Sequence, residues 1–237
     1  MPNQEFAFKQ FTIHQEKCAM KVGTDAVLLG AWVTPNNPKA ILDIGTGTGV
    51  IALMIAQKTE GIVDAIEIDE NAYQQATENV AASKWKDRVY VHHTSLQDFS
   101  KNATHKYDLI VSNPPYFVDS FKSNAEARNS ARHADQLPFS ELIKGVLNLL
   151  DENGAFCVIM PVTEGYKLRE LACANNLYLT KLTLIKTKKE KTEKRFIMQF
   201  EKQNKKLIET ELVIEKNDRH AYTAEYIELT KDYYLYF

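Results

Sequence analysis

Between Lys39 and Glu201, short apolar runs alternate with segments whose apolar residues recur at helical spacing. Five of the runs are typical of buried strands, namely KAILDIG, GIVDAIEID, RVYVHH, YDLIVSN and GAFCVIMP. The segments LYLTKLTLIKT and KRFIMQFEK follow them and have the character of two closing strands. Strands that alternate with helices predict an α/β fold with a largely parallel sheet and helices on both faces.

Local signals also predict where some of the helices begin and end. Asp69 precedes the helical segment ENAYQQATENVAAS and is expected to be its N-cap. The segment SELIKGVLNLL is expected to end as a helix near Asn153-Gly154, because Asn and Gly commonly follow a helix C-terminus. By contrast, SLQDF, after the third strand, is interpreted as a surface loop.

Three segments lie outside the alternation. Residues 1–38 suggest a strand or hairpin followed by a short helix from Thr24. Residues 117–137 are polar and long for a loop, and such insertions are usually functional lids or disordered. Residues 202–237 suggest one more strand and a terminal helix. Because no internal repeat or low-complexity linker divides the chain, we expect a single domain whose core spans 39–201, with an N-terminal extension and a C-terminal segment.

Charge and cysteine usage limit the classes of partner. The 237 residues carry a net charge of −2, so no global field attracts nucleic acid or anionic membrane. No uncharged apolar run reaches the roughly 18 residues of a membrane span, and the N-terminus does not have the pattern of a signal peptide. The three cysteines and six histidines match no disulfide framework or zinc spacing. We expect a cytoplasmic, reduced, metal-free protein without membrane contact.

The loop between the first strand and the first helix carries the strongest ligand signal. Gly45, Gly47 and Gly49 are spaced G-x-G-x-G, which differs from the G-x-G-x-x-G of dinucleotide-binding proteins. Glycine lets a backbone turn sharply and approach a ligand closely. Asp43 precedes the loop, and an acid there would repel a pyrophosphate but suits a cationic ligand. S-adenosylmethionine carries a sulfonium and an ammonium but no phosphate, and we expect it to bind here.

Acidic residues follow the next two strands. Glu67 ends the second strand, where an acid can accept hydrogen bonds from both ribose hydroxyls of an adenosine. The alternative is a solvated acid at a strand end. Asp98 follows the third strand and could accept a hydrogen bond from an adenine amino group, or be only a surface acid.

The fourth strand ends in Asn113, Pro114, Pro115 and Tyr116. Two adjacent prolines cannot donate to a sheet ladder, and each restricts the residue before it to extended conformations. The strand must therefore stop here, with Asn113 held at its tip. A Pro-Pro pair after a strand is often only a turn, so this stretch alone leaves its function open.

Taken together, LDIGTGTG, AIEID and VSNPPY resemble motifs I, II and IV of the class I methyltransferases that use S-adenosylmethionine. The resemblance covers roughly residues 21–160. The whole chain resembles more closely the bacterial tRNA (adenine-N6)-methyltransferases, which modify the adenosine 3′ of the anticodon. The closer match lies in MKVGTDAVLLGAW, ARNSARH and YTAEYIELTKDYYL.

This resemblance implies a Rossmann-like, seven-stranded sheet with a final antiparallel strand. It implies transfer of a methyl group to the N6 amine of adenine 37, of a valine tRNA, with S-adenosylhomocysteine as the second product. It also adds three residues from the first matching segment, together with Asn113, to the expected cofactor contacts: Lys21, Thr24 and Asp25.

The chemistry of a purine amine gives the Asn-Pro-Pro-Tyr stretch a role. An exocyclic amine is a poor nucleophile because its lone pair is delocalised into the ring. Acceptors aimed at its two N–H bonds, from the Asn113 side chain and the Pro114 carbonyl, would direct that lone pair toward the methyl group. Pro115 would fix the Pro114 carbonyl, and Tyr116 would stack on a base that has left its own stack.

Other functions use similar motifs. The same stretch suits a glutamine side-chain amide or a guanine N2 amine, because both are planar nitrogens. Release-factor glutamine methyltransferases carry it, but they have a larger domain before the glycine loop. A non-catalytic RNA-binding or scaffold protein and a nicotinamide oxidoreductase are further alternatives. The intact Asp43, Gly47, Glu67 and Asn113 disfavour the former, and the glycine spacing disfavours the latter.

Contact with RNA would depend on local charge. Residues 186–195 contain six basic and two acidic residues, at the expected turn between the two closing strands. A solvated hairpin is the alternative, because charge runs are usually only surface. Tyr166 and the tyrosines of the tail are expected to be packing residues, and a monomer is favoured. The residues proposed to contact RNA are Arg128, Arg132, Lys186, Lys188, Lys189 and Lys191.

Overall fold

The computed structural model describes residues 4–34, 36–115, 137–218 and 221–237. Three predicted site residues, Tyr116, Arg128 and Arg132, lie outside the described residues. The strands are β1 Glu5–Ala7, β2 Thr12–His14, β3 Ala40–Ile44, β4 Ile62–Glu67, β5 Val89–His93, β6 Tyr107–Ser112, β7 Leu150–Pro161, β8 Tyr178–Lys186, β9 Arg195–Glu201 and β10 Ile208–Val213. The helices are α1 Thr24–Trp32, α2 Val50–Lys58, α3 Glu70–Ala81, α4 Leu96–Asn102, α5 Phe139–Leu149, α6 Val162–Ala174 and α7 Ala224–Thr230.

Eight of the described strands form one sheet in the order β10-β8-β9-β7-β6-β3-β4-β5. The five adjacent strands β5, β4, β3, β6 and β7 are parallel to one another. Strand β9 lies between β7 and β8 and is antiparallel to both. The predicted α/β fold and its antiparallel final core strand are therefore confirmed. The predicted number of seven strands is wrong, because β10 pairs in parallel with the outer strand β8 and adds an eighth.

Helices cover both faces of the sheet. On one face a buried cluster includes side chains from α1, α2 and the C-terminal tail, such as Leu29, Met54 and Tyr233. On the other face a second cluster includes side chains from α4, α5 and α6, such as Leu96, Leu142 and Leu168. Strand residues are buried from both sides, which explains why the core strands appear in the sequence as nearly continuous apolar runs.

Two local predictions need correction. Helix α5 ends at Leu149, and Asn153-Gly154 lies inside β7, where the pairing with β6 shifts between Tyr107 and Leu109. Gly154 serves close backbone approach there, since a Cβ would stand 2.8 Å from the Tyr107 carbonyl oxygen. The stretch predicted as a loop after β5 is helix α4, which Ser95 caps by accepting a hydrogen bond from the Asp98 amide. The prediction of Asp69 as N-cap of α3 is confirmed.

The sheet order reverses direction between β3 and β6, and this reversal positions the candidate site. From β3 the chain proceeds outward to β4 and β5, whereas β6 and β7 extend the sheet on the other side. In open α/β sheets, ligands bind in the crevice outside the carboxyl ends of the strands at such a reversal. Because β8 is antiparallel to β9 and β9 to β7, the carboxyl end of β8 lies at this same edge.

Candidate functional site

The glycine loop and Asn113 start from neighbouring strand ends. Ser112, the last residue of β6, is the register partner of Ile44, the last residue of β3. Its hydroxyl donates to the Ile44 carbonyl over 2.9 Å. The next residue on β6 is Asn113, which is half-buried and has side-chain or backbone interactions of its own. The structure thus brings the two main predicted motifs to one place.

Backbone geometry explains the glycines of the loop. Gly45, Gly47 and Gly49 have φ angles of 70°, 57° and 82°, which disfavour residues with a side chain. Apart from each glycine and its two chain neighbours, no described residue has an atom within 4 Å of a Cβ built on Gly45 or Gly47. The space beside these two residues is therefore open to a ligand. At Gly49 a Cβ would meet Ala76 of α3 at 3.5 Å, so the loop there packs on that helix.

Glu67 holds this loop in the described structure. Its Oε2 accepts a hydrogen bond from the Gly47 amide at 2.9 Å, and its Oε1 accepts from the amides of Ile68 and Asp69 at 2.8 and 3.0 Å. A carboxylate offers about four acceptor positions, of which three are used. Glu67, which is predicted to bind a ribose, therefore also stabilises the conformation of the glycine loop.

Asp43 is fully buried beneath the loop. Its Oδ2 accepts a hydrogen bond from the Thr46 hydroxyl at 2.6 Å, whereas its Oδ1 has no hydrogen-bonding partner among the described residues. Burial raises the pKa of Asp43 to about 7, against the opposing effects of the Thr46 hydroxyl and the nearby Ala52 amide, and the negative charge of Glu67 raises it further. A cation bound at the loop would favour the ionised form of this carboxyl group.

Two residues, Asp98 and Ile68, bear on the region expected to receive an adenine, and the predicted contact of Asp98 with an adenine stays a prediction. Both carboxylate oxygens of Asp98 have partners near α4, at 2.9 Å from Ser95 Oγ and 3.0 Å from Lys101 Nζ. These two hydrogen bonds hold the pKa of Asp98 below its usual range. Ile68, which sequence analysis missed, is 56% exposed directly after Glu67 and offers an apolar surface for a planar ring. An exposed isoleucine gives no signal in a single sequence.

The N-terminal extension is fastened to α3 by two buried amides that sequence analysis also missed. Asn79 accepts from the His14 amide and donates to the carbonyls of His14 and Thr48, at 2.8–2.9 Å. Gln75 accepts from the Lys17 amide at 3.0 Å. Asn79 therefore joins the extension to the glycine loop. The signal available in the sequence was two amides spaced i, i+4 on the otherwise apolar face of α3.

The three residues that the resemblance added lie elsewhere in this extension. The Lys21 ammonium donates to the Gln15 carbonyl. Thr24 is exposed at the start of α1. Asp25 accepts a hydrogen bond from Arg195 Nε at 2.7 Å, in an ion pair that joins α1 to β9. Their predicted contact with the cofactor stays a prediction.

The lysines predicted to contact RNA differ from one another. Residues 187–194, called the basic turn below, connect β8 to β9 at the edge that carries the glycine loop. Lys186, at the end of β8, pairs with Glu211 at 2.6 Å and Glu193 at 3.5 Å. Lys188 donates to the Asn217 carbonyl at 2.8 Å. Lys189 and Lys191 are exposed and are the best placed of the four to bind phosphates.

Two further results concern metal and membrane. Within the described ranges, no three or more His, Cys, Asp and Glu side chains are grouped so that they could hold a metal ion. None of the helices described there has both the length and the apolar character needed to cross a bilayer.

Residues 18–174 match the family described as "Methyltransferase small domain". Among curated proteins, the chain is 49% identical over 232 residues to the tRNA1(Val) (adenine(37)-N6)-methyltransferase of Flavobacterium psychrophilum, covering 97% of this chain and 99% of the relative. The protein of the same name from Christiangramia forsetii is 46% identical over 239 residues, covering 99% of each chain. That from Bacteroides fragilis is 47% identical over 234 residues, covering 97% of each.

Solved structures agree on the fold at much lower identity. A protein described as a predicted O-methyltransferase from Agrobacterium tumefaciens superposes with a TM-score of 0.69 at 17% identity, covering 88% of this chain and 96% of its own. A ribosomal protein L11 methylase from Lactobacillus delbrueckii gives a TM-score of 0.56 at 18% identity, covering 80% and 83%. At these identities the likeness concerns the fold alone, and it confirms the predicted class I methyltransferase architecture.

Proposed function

Because the chain belongs to the tRNA1(Val) (adenine(37)-N6)-methyltransferase family, we propose that it transfers a methyl group from S-adenosylmethionine to the N6 amine of adenine 37 in a valine tRNA. The observation that carries this proposal is the identity of 46–49% over nearly the whole length of the chain and its relatives. The adjacent positions of the glycine loop and Asn113 support it, since methyl donor and acceptor must meet there.

The residues around the glycine loop fit the proposed cofactor. The buried Asp43, with one oxygen lacking a partner among the described residues, suits a ligand that brings positive charge to the loop. The open space beside Gly45 and Gly47 admits the methionine portion of the cofactor. The remaining acceptor position of Glu67 receives a ribose hydroxyl. When bound, S-adenosylmethionine supplies an activated methyl group.

The chain's own contribution at the acceptor is positioning. The Asn113 side-chain oxygen and the Pro114 carbonyl oxygen accept hydrogen bonds from the two N–H groups of the target amine and so direct its lone pair. Pro114 is buried, and Pro115 after it limits the backbone to extended conformations, so both acceptors keep their places. No strong general base is required, because the methylated amine loses its proton readily. Tyr116, outside the described residues, is proposed to stack on the base.

The proposed substrate also agrees with the distribution of charge. The basic turn lies at the same edge as Asn113, three strand spacings away through β7, β9 and β8, or roughly 14 Å. Lys189 and Lys191 are proposed to bind phosphates of the anticodon stem-loop, and Arg128 and Arg132 are proposed to do so beside the target base. A base in a loop is cheaper to extract than a paired one. A cytoplasmic location, where tRNA is modified, belongs to the same proposal.

Methyl transfer from labelled cofactor to defined substrates tests the proposal. Purified protein is incubated with separate pools of tRNA, rRNA fragments, duplex DNA and release factors, and the products are digested and identified by mass spectrometry. N6-methyladenosine from a tRNA anticodon loop is the expected product. Methylglutamine, N2-methylguanosine or methylated DNA would contradict the proposal and identify the competing function instead.

A further inference from the structure

Tyr166, which the sequence predicts to be a packing residue, packs with only part of its ring and leaves the rest exposed. It lies on α6 and is 53% exposed. Its ring meets that of Phe196 nearly at right angles, with centroids 5.2 Å apart. The preceding residue, Gly165, brings the helix close to the sheet, since a Cβ there would stand 2.7 Å from Phe196 Cδ2. The ring is thus supported from one side and open to solvent on the other.

The position of this ring relates it to the candidate site. Helix α6 starts at Val162, directly after Pro161 at the carboxyl end of β7, and Pro161 is the register partner of Arg195. Side chains of a helix lean toward its N-terminus, so Tyr166 is directed to the edge that carries the site. Phe196, its support, lies on β9, two strand spacings or about 10 Å from the strand of Asn113.

The surroundings indicate what would cover the ring. The basic turn leads directly into β9, and its Lys189 and Lys191 are exposed. Proteins that bind single-stranded nucleic acid combine positive charge, which attracts the phosphates, with aromatic rings on which the bases stack. The net charge of the chain is −2, so this positive patch is local to the edge.

We propose that Tyr166 is a stacking platform for a nucleobase that neighbours the target adenine in the RNA loop. This inference rests on the proposed function, since it assumes an RNA substrate. Stacking requires no particular base, because every base presents a π-face. The platform would hold the loop open while the target base occupies the Asn113 pocket and the basic turn binds the phosphates.

The test compares three variants on an unmodified valine tRNA transcript. Tyr166→Leu keeps an apolar contact with Phe196 but removes the aromatic plane, whereas Tyr166→Phe keeps the plane. Tyr236→Ala is the matched control, because Tyr236 is 93% exposed and lies at the C-terminus. We expect Tyr166→Leu to weaken tRNA binding by about 5- to 150-fold, the range for loss of one base–aromatic stack. Tyr166→Phe and Tyr236→Ala should stay within twofold of the wild type.

Binding of S-adenosylmethionine and the melting temperature are measured on every variant and should not change. Unaltered tRNA affinity of folded Tyr166→Leu would overturn the inference, and so would a Tyr166→Phe variant as weak as Tyr166→Leu. If the wild-type protein binds the transcript in a Tyr166-dependent way but transfers no methyl group to it, the platform stands and the proposed function fails.

Discussion

The carboxyl edge of the sheet has two halves that are built differently. Around β3 and β4, polar groups are buried or form several hydrogen bonds each, as in Asp43, Glu67 and Asn79. Around β8 and β9, the charged groups lie at or near the surface, and several of them make ion pairs with a neighbouring strand, with the basic turn or with α1. The first half can hold a small ligand in one fixed geometry, whereas the second can attract a large, flexible polyanion.

This difference predicts different responses to mutation. Removing a group from the buried half leaves its partners desolvated and unpaired, which is costly. Removing a charge from the exposed half changes only a screened interaction, whose strength depends on salt. Asn113 lies at the boundary between the two halves, where both substrates would meet, and should be the most sensitive position for turnover.

The largest effect is expected for Asn113→Ala. It removes an acceptor proposed to touch the reacting amine, and loss of such a transition-state contact costs on the order of 100-fold or more in rate. Single-turnover methylation of tRNA measures the rate, and calorimetry measures cofactor affinity, which should change by less than threefold. A folded variant that methylates at nearly the wild-type rate would show that the assigned role is wrong.

The second prediction concerns the pH dependence of stability, and it tests the burial of Asp43 in the half of the edge around β3 and β4. The pKa of Asp43 is about 7 in the folded protein and about 3.8 in the unfolded chain, so the folded state favours the protonated form. Its contribution to stability is therefore present at low pH and is lost as pH rises to about 7. Between pH 5 and 7 the wild type should lose about 2–3 kcal/mol of unfolding free energy relative to Asp43→Asn, and nothing further above pH 8.

Chemical denaturation of both proteins without cofactor, at intervals from pH 5 to pH 8, measures this difference. Because both proteins share all other titrating groups, their contributions cancel in the comparison. Parallel pH profiles of the two proteins would contradict the buried position of Asp43 and the raised pKa that follows from it. In the wild type, S-adenosylmethionine should bind more tightly as pH rises through 7, because the ionised carboxyl group favours a cation.

Glu67→Ala should weaken cofactor binding by about 1.5–3 kcal/mol, the scale for hydrogen bonds to a charged group. The structure adds a second cause, since the amides of Gly47, Ile68 and Asp69 lose their acceptor. Glu70→Ala is the matched control, because Glu70 is an exposed acid nearby whose carboxylate pairs with His93. Calorimetry should show less than a threefold change for it. An equal loss of cofactor affinity in both variants would show that the effect comes from the change in net charge and not from the contacts of Glu67.

The sequence predicted those features of the edge that depend on neighbouring residues. The turn of the loop requires glycine at positive φ, and Asp69 caps the helix that starts one residue later, so both are local signals. The parallel arrangement of strands β3 to β7 followed from the alternation, because strands that are connected through helices usually run parallel in one sheet. The hydrogen bond by which Ser95 caps α4 is also local, but the segment that contains it was interpreted as a surface loop.

The features that the sequence did not predict are those that join distant residues. The pair of Arg195 with Asp25 spans 170 positions, and the bond of Asn79 with Thr48 spans 31. No pattern in one sequence states that such side chains will meet. For the same reason the pairing of β10 with β8 was missed, and Lys186, counted as a free positive charge, has two carboxylate partners.

The smallest effect is expected in the exposed half, for the double variant Lys189→Ala and Lys191→Ala. Each lysine that binds a phosphate contributes roughly one unit to the slope of log affinity against log salt concentration, so the slope should fall by about 1–2 units. Near physiological salt, the affinity for tRNA should fall by only about 3- to 10-fold, because the contacts are screened. Cofactor binding should be unchanged.

The matched control changes two exposed lysines at the opposite edge, Lys84→Ala and Lys86→Ala, which lie in the turn before β5. Both double variants lose the same net charge, so a difference between their salt slopes must come from position. Equal slopes would return the basic turn to the status of solvated surface. Lys186→Ala completes the comparison: because Glu211 and Glu193 already neutralise Lys186, its removal should lower stability more than it lowers tRNA affinity.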